Sequence, residues 1–198
     1  AADAWGTPPD LVFSSSTGVI GEPLPHDRIV VRLQTMVQDL SAEKIDEAAR
    51  AIMTTDTVPK ALSRRVATEA GVFTLTGIAK GAGMIMPDMA TMLSFVLTDA
   101  AIPPQDLKKA LFHAADATFN RITVDGDTST NDTLLALANG AAGTGNLSGP
   151  DLDAFQEGLQ QVMEVLAVMI VRDGEGATRV IFVQVRGASE PEDAISAA

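Results

Sequence analysis

The run Lys80-Gly81-Ala82-Gly83-Met84-Ile85-Met86-Pro87-Asp88-Met89-Ala90-Thr91-Met92-Leu93 joins a strand-like segment ending at Lys80 to a second one beginning at Thr91. The loop between them holds two glycines, a proline and no charge except Asp88. Glycine relaxes the backbone and proline fixes φ, so the loop can present the peptide bond between Ala90 and Thr91 in a defined pose. A chain that cuts itself before a threonine, and then uses that threonine as a nucleophile, needs this arrangement. The released α-amine would titrate at about 7.7–8.0, close enough to neutrality to act as general base for its own hydroxyl.

Four further motifs accompany the loop. They are Ser16-Thr17-Gly18-Val19-Ile20-Gly21, Ala49-Arg50-Ala51-Ile52-Met53-Thr54-Thr55-Asp56-Thr57, Asn120-Arg121-Ile122-Thr123-Val124-Asp125-Gly126-Asp127-Thr128-Ser129-Thr130-Asn131-Asp132 and Arg172-Asp173-Gly174-Glu175-Gly176-Ala177-Thr178. Together, and in this order, the motifs resemble those of the ornithine acetyltransferase family, the bifunctional glutamate N-acetyltransferases of arginine biosynthesis. The resemblance runs through nearly the whole chain. It begins inside the family's first subunit and stops before the end of its second, so the chain is expected to be a piece of a longer protein. The missing part would include the segment that closes the active site from the C-terminal side.

The resemblance implies a role for each matching residue. The hydroxyl of Thr91 attacks the carbonyl of Ala90, and cleavage there divides the single catalytic core domain 1–198 into an alpha part, 1–90, and a beta part, 91–198. Thr91 then accepts an acetyl group from N2-acetyl-L-ornithine and passes it to L-glutamate through an acetyl-threonine intermediate. Thr17 and Gly18 match the oxyanion-hole pair, a hydroxyl and a backbone N–H, which stabilise the charge that acyl transfer places on the carbonyl oxygen. Lys80 and Glu175 match residues lining the substrate pocket, where amino-acid substrates need a cation and an anion as partners. Thr54 matches a further substrate contact. No cofactor is implied, although bifunctional members take acetyl-coenzyme A as acetyl donor. The two cleaved parts are expected to associate, and to build a higher oligomer.

Each of these residues also has an ordinary reading. Thr91 is a β-branched strand former. Ser-Thr-Gly makes turns after strands, Lys80 and Glu175 would be solvated at a strand end and in a glycine-rich turn, and Thr54 would end a helix at Met53. Position within the motifs favours the functional reading. The run from Asp125 to Asp132 imitates the start of a calcium loop, but Thr130 stands where that loop needs Gly and Ala136 where it needs Glu. Asx turns account for its polar residues instead. His26 and His113 have no partner at metal-ligand spacing and read as surface residues.

Composition narrows the field further. The 198 residues suit one domain, and 46% hydrophobic residues with a mean hydropathy of +0.17 argue for a packed chain. Without cysteine there are no disulfides, thiol chemistry or Cys-ligated metals. No Tyr and two His leave the chemistry to hydroxyls and carboxylates. A net charge of −12 argues against nucleic acid. No apolar run is long enough to span a bilayer, and the N-terminus lacks a signal pattern, so a cytoplasmic protein is expected.

The elements that must position these residues follow from periodicity. Residues 11–13 form an apolar run delivering Ser16-Thr17-Gly18 at a strand end. Ile29, Val30, Leu33, Val37 and Leu40 recur at helical spacing, and Ser41 caps a second helix running through Met53. Strands are expected at 60–68, 72–80, 91–98, 122–124, 133–138 and 178–186, helices from Pro103-Pro104 and over 151–171, and a loop at 141–150. The mixed order, with no repeated β-α-β unit, favours an α/β (mixed α+β) fold of layered sheets with helices outside. The family's α-β-β-α sandwich agrees with that.

Three functions remain in competition: the transferase, a self-cleaving aminopeptidase or amidase of the same fold in which water replaces glutamate, and an inactive core fragment. Fold alone does not separate them; release of free acetate without an acceptor marks the hydrolase. Thr91→Ala is expected to abolish self-cleavage and transfer while the fold stays intact, and Thr91→Ser to keep part of both. Intact-mass measurement decides it. Two pieces meeting between Ala90 and Thr91 are expected from the parent and one mass from the alanine variant; a variant that still separates into two removes Thr91 from the chemistry.

Overall fold

The computed structural model describes residues 1–86, 92–190 and 193–195. Four short helices come first, α1 (Ala2–Trp5), α2 (His26–Val30), α3 (Leu33–Gln38) and α4 (Ile45–Ala51). A hairpin follows, in which β1 (Lys60–Thr68) and β2 (Gly71–Lys80) pair antiparallel from Lys60↔Ala79 to Thr68↔Gly71. β3 (Leu93–Thr98) adds antiparallel to β2, with Lys80 opposite Leu93. The chain then crosses over through α5 (Pro104–Ala117), so that β4 (Thr133–Ala138) lies parallel to β3. The sheet order is β1-β2-β3-β4. Parallel neighbours require such a crossover, and a helix is its usual form.

The last long element, α6 (Gly149–Arg172), lies across β1 and β2. Phe155, Gly158, Leu159, Val162, Met163, Leu166, Ala167 and Ile170 recur every three or four residues and are all buried, as a helix with one apolar stripe requires. Glycines set how closely it docks. A Cβ on Gly77 of β2 would stand 2.7 Å from Leu166 and 2.8 Å from Val162, and one on Gly158 would stand 2.9 Å from Val66 and 3.0 Å from Leu75. Phe73 and Phe155 complete the contact, with ring centroids 5.9 Å apart. Asp151 at the start of α6 accepts the N–H of Glu69 in the hairpin turn (3.1 Å). The helix therefore runs from the turn of the hairpin to its open end.

The other face of the sheet carries Ser63, Thr76 and Leu97 in one register row. A cleft of about 760 Å³ separates this face from Met36, Leu40, Ala48 and Ala51 of the N-terminal helices. The mixed α/β class is as the pattern predicts. The described residues supply one four-stranded sheet with helices; a second sheet of a sandwich is not among them.

Several elements differ from the sequence expectation. The helical spacing from Ile29 to Leu40 yields two short pieces, α2 and α3, whose apolar residues Ile29, Val30 and Met36 are exposed and give little packing to hold a longer helix. Ser41 accepts the N–H of Glu43 but caps a 3-10 turn (Ala42–Lys44) and not α4, which starts at Ile45 and ends at Ala51. Residues 9–11 form a 3-10 turn and 12–19 run without a ladder, so no strand delivers Ser16-Thr17-Gly18. Residues 122–124 are not a strand, because they reach the 81–86 loop through single bonds: the N–H of Val124 and the hydroxyl of Thr123 both donate to the carbonyl of Ile85. Residues 178–186 find no ladder partner among the described residues, and Ile181, Phe182 and Val183 are exposed. β3 begins at Leu93; Ala90 and Thr91 lie outside the described residues.

Gly77→Ala is expected to lower stability. Relieving a strand glycine's backbone entropy returns about 0.5–1 kcal/mol, but overpacking a stiff, buried valine and a core leucine costs about 1–3 kcal/mol. A melting temperature several degrees below the parent's is the expected result. An unchanged value would mean that α6 can move away from the sheet at little cost.

Candidate functional site

Two lysines end neighbouring strands, and both are buried. Lys60 opens β1 and Lys80 closes β2, with 0% and 1% of their surfaces exposed. The Nζ of Lys60 lies 2.6 Å from an oxygen of Asp56 and 2.6 Å from one of Asp173, at the end of α6. Lys80 faces Asp56 and Asp132 as its opposite charges. Burial drives its pKa below the usual lysine value, outweighing the pull of the two carboxylates, and Lys60 pushes in the same direction. Burial likewise raises the Asp132 carboxyl above its usual range, against the N–H of Met92 (2.8 Å) and the charge of Lys80. Met92 directly follows Thr91 in sequence.

The loop after Lys80 is fixed by three acids. The N–H of Gly81 donates to Asp56 Oδ1 (2.7 Å). The N–H groups of Met84 and Ile85 donate to the two oxygens of Asp125 (2.5 and 2.9 Å). Met84 sits at φ 53°, in the left-handed region that non-glycine residues rarely enter, and the Asp125 bonds hold it there. The third acid is Glu175, whose N–H donates to the carbonyl of Ala82 (2.7 Å). Its carboxylate covers Gly83, where a Cβ would stand 3.0 Å away and would push the Glu175 side chain aside.

The structure thus sets Glu175 against the short loop that follows Lys80. Thr54 joins them at one remove, since its N–H donates to Asp56 Oδ2 (3.2 Å), while its side chain is exposed. Thr17 and Gly18 are not drawn into this cluster. Gly18 is exposed on a stretch without regular structure, Thr17 is partly so, and a Cβ on Gly18 would meet nothing within 4 Å. Ala90 and Thr91 lie outside the described residues.

Sequence reasoning assigns no role to Asp56, Lys60, Asp125, Asp132 or Asp173, which organise this end of the sheet. The signal was present for the acids, each of which falls inside one of the motifs. Nothing in the sequence marks Lys60, because its two partners come from a loop four residues before it and a helix end 113 residues after it. Among the described residues no cluster of His, Cys, Asp and Glu could hold a metal ion.

A family model described as the ArgJ family matches residues 1–198. The chain belongs to the ArgJ family. Its similarity to curated members is high: it is 49% identical over 193 residues to the arginine biosynthesis bifunctional protein ArgJ of Ruegeria pomeroyi, covering 98% of this chain and 47% of that protein. It is 52% identical over 200 residues to the protein of the same name in Geobacter sulfurreducens, covering 100% of this chain and 51% of that one. The chain therefore spans about half the length of the curated family members it matches. A crystal structure of arginine biosynthesis bifunctional protein argJ from Bacillus halodurans is 48% identical, covering 53% of this chain and 50% of that one, with a TM-score of 0.49, a likeness too slight to bear on the fold.

Asp125 gives a pH test of the loop. Its slight burial acts to raise the carboxyl, but the N–H groups of Met84, Asp127 and Ile85 outweigh it and hold it below the usual range. A carboxylate depressed in the folded state stabilises above its unfolded pKa of about 3.9 and loses that contribution as pH falls through the folded value. Asp125→Asn is therefore expected to lower the urea midpoint at pH 7 and pH 5, with the gap to the parent closing below about pH 4. A gap that stays constant down to pH 3 would remove the carboxylate's charge from the account.

Proposed function

We propose that the chain carries the acetyl-transfer core of an enzyme that moves an acetyl group from N2-acetyl-L-ornithine to L-glutamate, activated by self-cleavage between Ala90 and Thr91. Family membership supports the reaction class. The observation that carries the proposal to particular residues is the glycine loop itself, which begins at the buried Lys80 and carries the Glu175 carboxylate over Gly83. A buried lysine whose charge is disfavoured by desolvation gains a counter-charge when a substrate carboxylate arrives. Both amino acids carry an α-carboxylate. The Glu175 carboxylate, covering Gly83, suits a substrate ammonium group: the δ-ammonium of acetylornithine, or the α-ammonium of glutamate before it attacks.

In the first half-reaction the Thr91 oxygen adds to the acetyl carbonyl, the C–N bond breaks, and the α-amine of ornithine leaves with the hydroxyl proton, relayed by the free α-amine of Thr91. In the second, the amine of glutamate adds to the acetyl ester and the Thr91 oxygen leaves and recovers a proton. Thr17 and Gly18 are proposed as the oxyanion donors for both steps. Acetyl-coenzyme A, as a second acetyl donor, forms part of the proposal.

Self-cleavage would leave the two parts associated. β2, before the cut, and β3, after it, are joined along Leu75↔Thr98 to Lys80↔Leu93, and α6 packs on β1 and β2 from the far side. Among the described residues no helix is long and apolar enough to cross a membrane; we propose a cytoplasmic location, in keeping with free amino acids as substrates.

The test is Glu175→Gln in the protein expressed from its complete reading frame. A hydrogen bond to a charged group is worth about 1.5–3 kcal/mol, so kcat/KM for acetylornithine and for glutamate should each fall about tenfold or more. Cleavage between Ala90 and Thr91 involves no free amino acid and should continue. Unchanged kinetics would make Glu175 a solvated turn residue, and release of free acetate in place of transfer would make the enzyme a hydrolase.

A further inference from the structure

The cluster of Asp56, Lys60 and Asp173 has no part in the chemistry just described, yet it bonds to the segments that carry Thr54, Lys80 and Glu175. Asp56 Oδ1 is shared between the Nζ of Lys60 (2.6 Å) and the N–H of Gly81 (2.7 Å), and Asp56 Oδ2 accepts the N–H of Thr54. Asp173 Oδ2 takes the other side of Lys60 (2.6 Å) and the N–H of Thr57 (3.0 Å), and Asp173 Oδ1 accepts the Thr57 hydroxyl. Three chain segments thus meet on one triad, the 54–60 segment and Asp173 at the Lys60 ammonium and Gly81 at Asp56. Each segment carries a candidate substrate residue: Thr54 two residues before Asp56, Lys80 next to Gly81, and Glu175 two residues after Asp173.

We propose that Asp56, Lys60 and Asp173 are positioning residues that fix Lys80, Glu175 and Thr54 relative to one another and so set the binding of the amino-acid substrates. This rests on the proposed acetyl transfer. Stability alone is a weak reason to keep such a triad, since desolvating three charges offsets most of their attraction and well-packed neutral replacements often fold as well. Geometry is what the triad adds that apolar groups cannot. Charged hydrogen bonds fix direction as well as distance, and the bond to Gly81 sets the backbone beside Lys80. Within the triad, Asp56 favours the ammonium form of Lys80 and Lys60 opposes it.

The experiment uses the protein expressed from its complete reading frame and the triple variant Asp56→Asn/Lys60→Met/Asp173→Asn, which removes all three charges at similar volume. The expected result is a folded protein whose KM values for acetylornithine and glutamate both rise at least tenfold, while kcat falls less than threefold, the signature of lost substrate binding that does not extend to the chemical step. Amide hydrogen exchange in the peptide spanning 76–84 is expected to quicken about tenfold or more. A folded triple variant with parental KM values, or with parental exchange at 76–84, overturns the proposal. Should the triple variant not fold, Asp173→Asn decides on the same readouts, with KM rising about threefold or more. Failure of both to fold also overturns it, because the triad would then be part of the folding core. A parent protein that transfers no acetyl refutes the proposed function instead, and the exchange measurement still reports on the triad.

Discussion

The close docking of α6 onto the β1–β2 hairpin is the constraint on which the rest of the molecule depends. Two glycines facing each other's elements, Gly77 on the sheet and Gly158 on the helix, remove the side chains that would otherwise hold the layers apart. Dense packing makes this contact sensitive to a single methyl group. The helix is 24 residues long and is tied to the turn of the hairpin by Asp151 at one end and to its open end by Asp173 at the other. Its length therefore matches the strand beneath it, and the Asp173-Gly174-Glu175 turn is delivered to the place where β2 ends and β3 begins. The candidate site lies at that end of the sheet because α6 stops there.

Burying two lysines at one sheet edge needs a physical reason. Removing an ammonium from water costs several kcal/mol even after relaxation, and an opposite charge at hydrogen-bonding distance returns about 6 kcal/mol at an effective dielectric near 20. These terms nearly cancel. Lys60, with two carboxylates at 2.6 Å, has its charge matched by the protein itself. Lys80 has Asp56 and Asp132 nearby, but no hydrogen bond from its Nζ occurs among the described residues, and its pKa is held down by burial. The two lysines are therefore in different electrostatic states. Lys60 is a closed structural joint, and Lys80 has no such paired carboxylates at hydrogen-bonding distance among the described residues.

Much of the fold was legible in the sequence. The hairpin, α5, β4 and α6 follow from periodicity and turn signals, because each is stabilised by an apolar stripe visible within a dozen residues. The failures also share one cause. Residues 178–186 alternate like a strand, and residues 27–40 repeat like a helix, but each pattern becomes an element only if a partner covers its apolar face. Ile181, Phe182, Ile29 and Val30 are exposed; 178–186 forms no strand among the described residues, and 27–40 gives two short helices in place of one. In the site, Lys80 and Glu175 were legible because their motifs resemble those of a known family, whereas Asp56, Asp132 and Asp173 were visible in the motifs without a role.

By itself, the sequence determined the family, the mixed α/β class, the place of the proposed cut, and the candidate residues Thr91, Lys80 and Glu175. These depend on residue type and local order, which a linear pattern preserves. Only the tertiary structure decided that Lys80 is buried rather than solvated, that Glu175 covers Gly83, and that Asp56 and Asp173, 117 positions apart in the numbering, share one lysine. Burial and charge pairing across the chain depend on how closely α6 approaches the sheet. That distance is set by the packing of side chains from separate segments, and no local stretch of sequence encodes it.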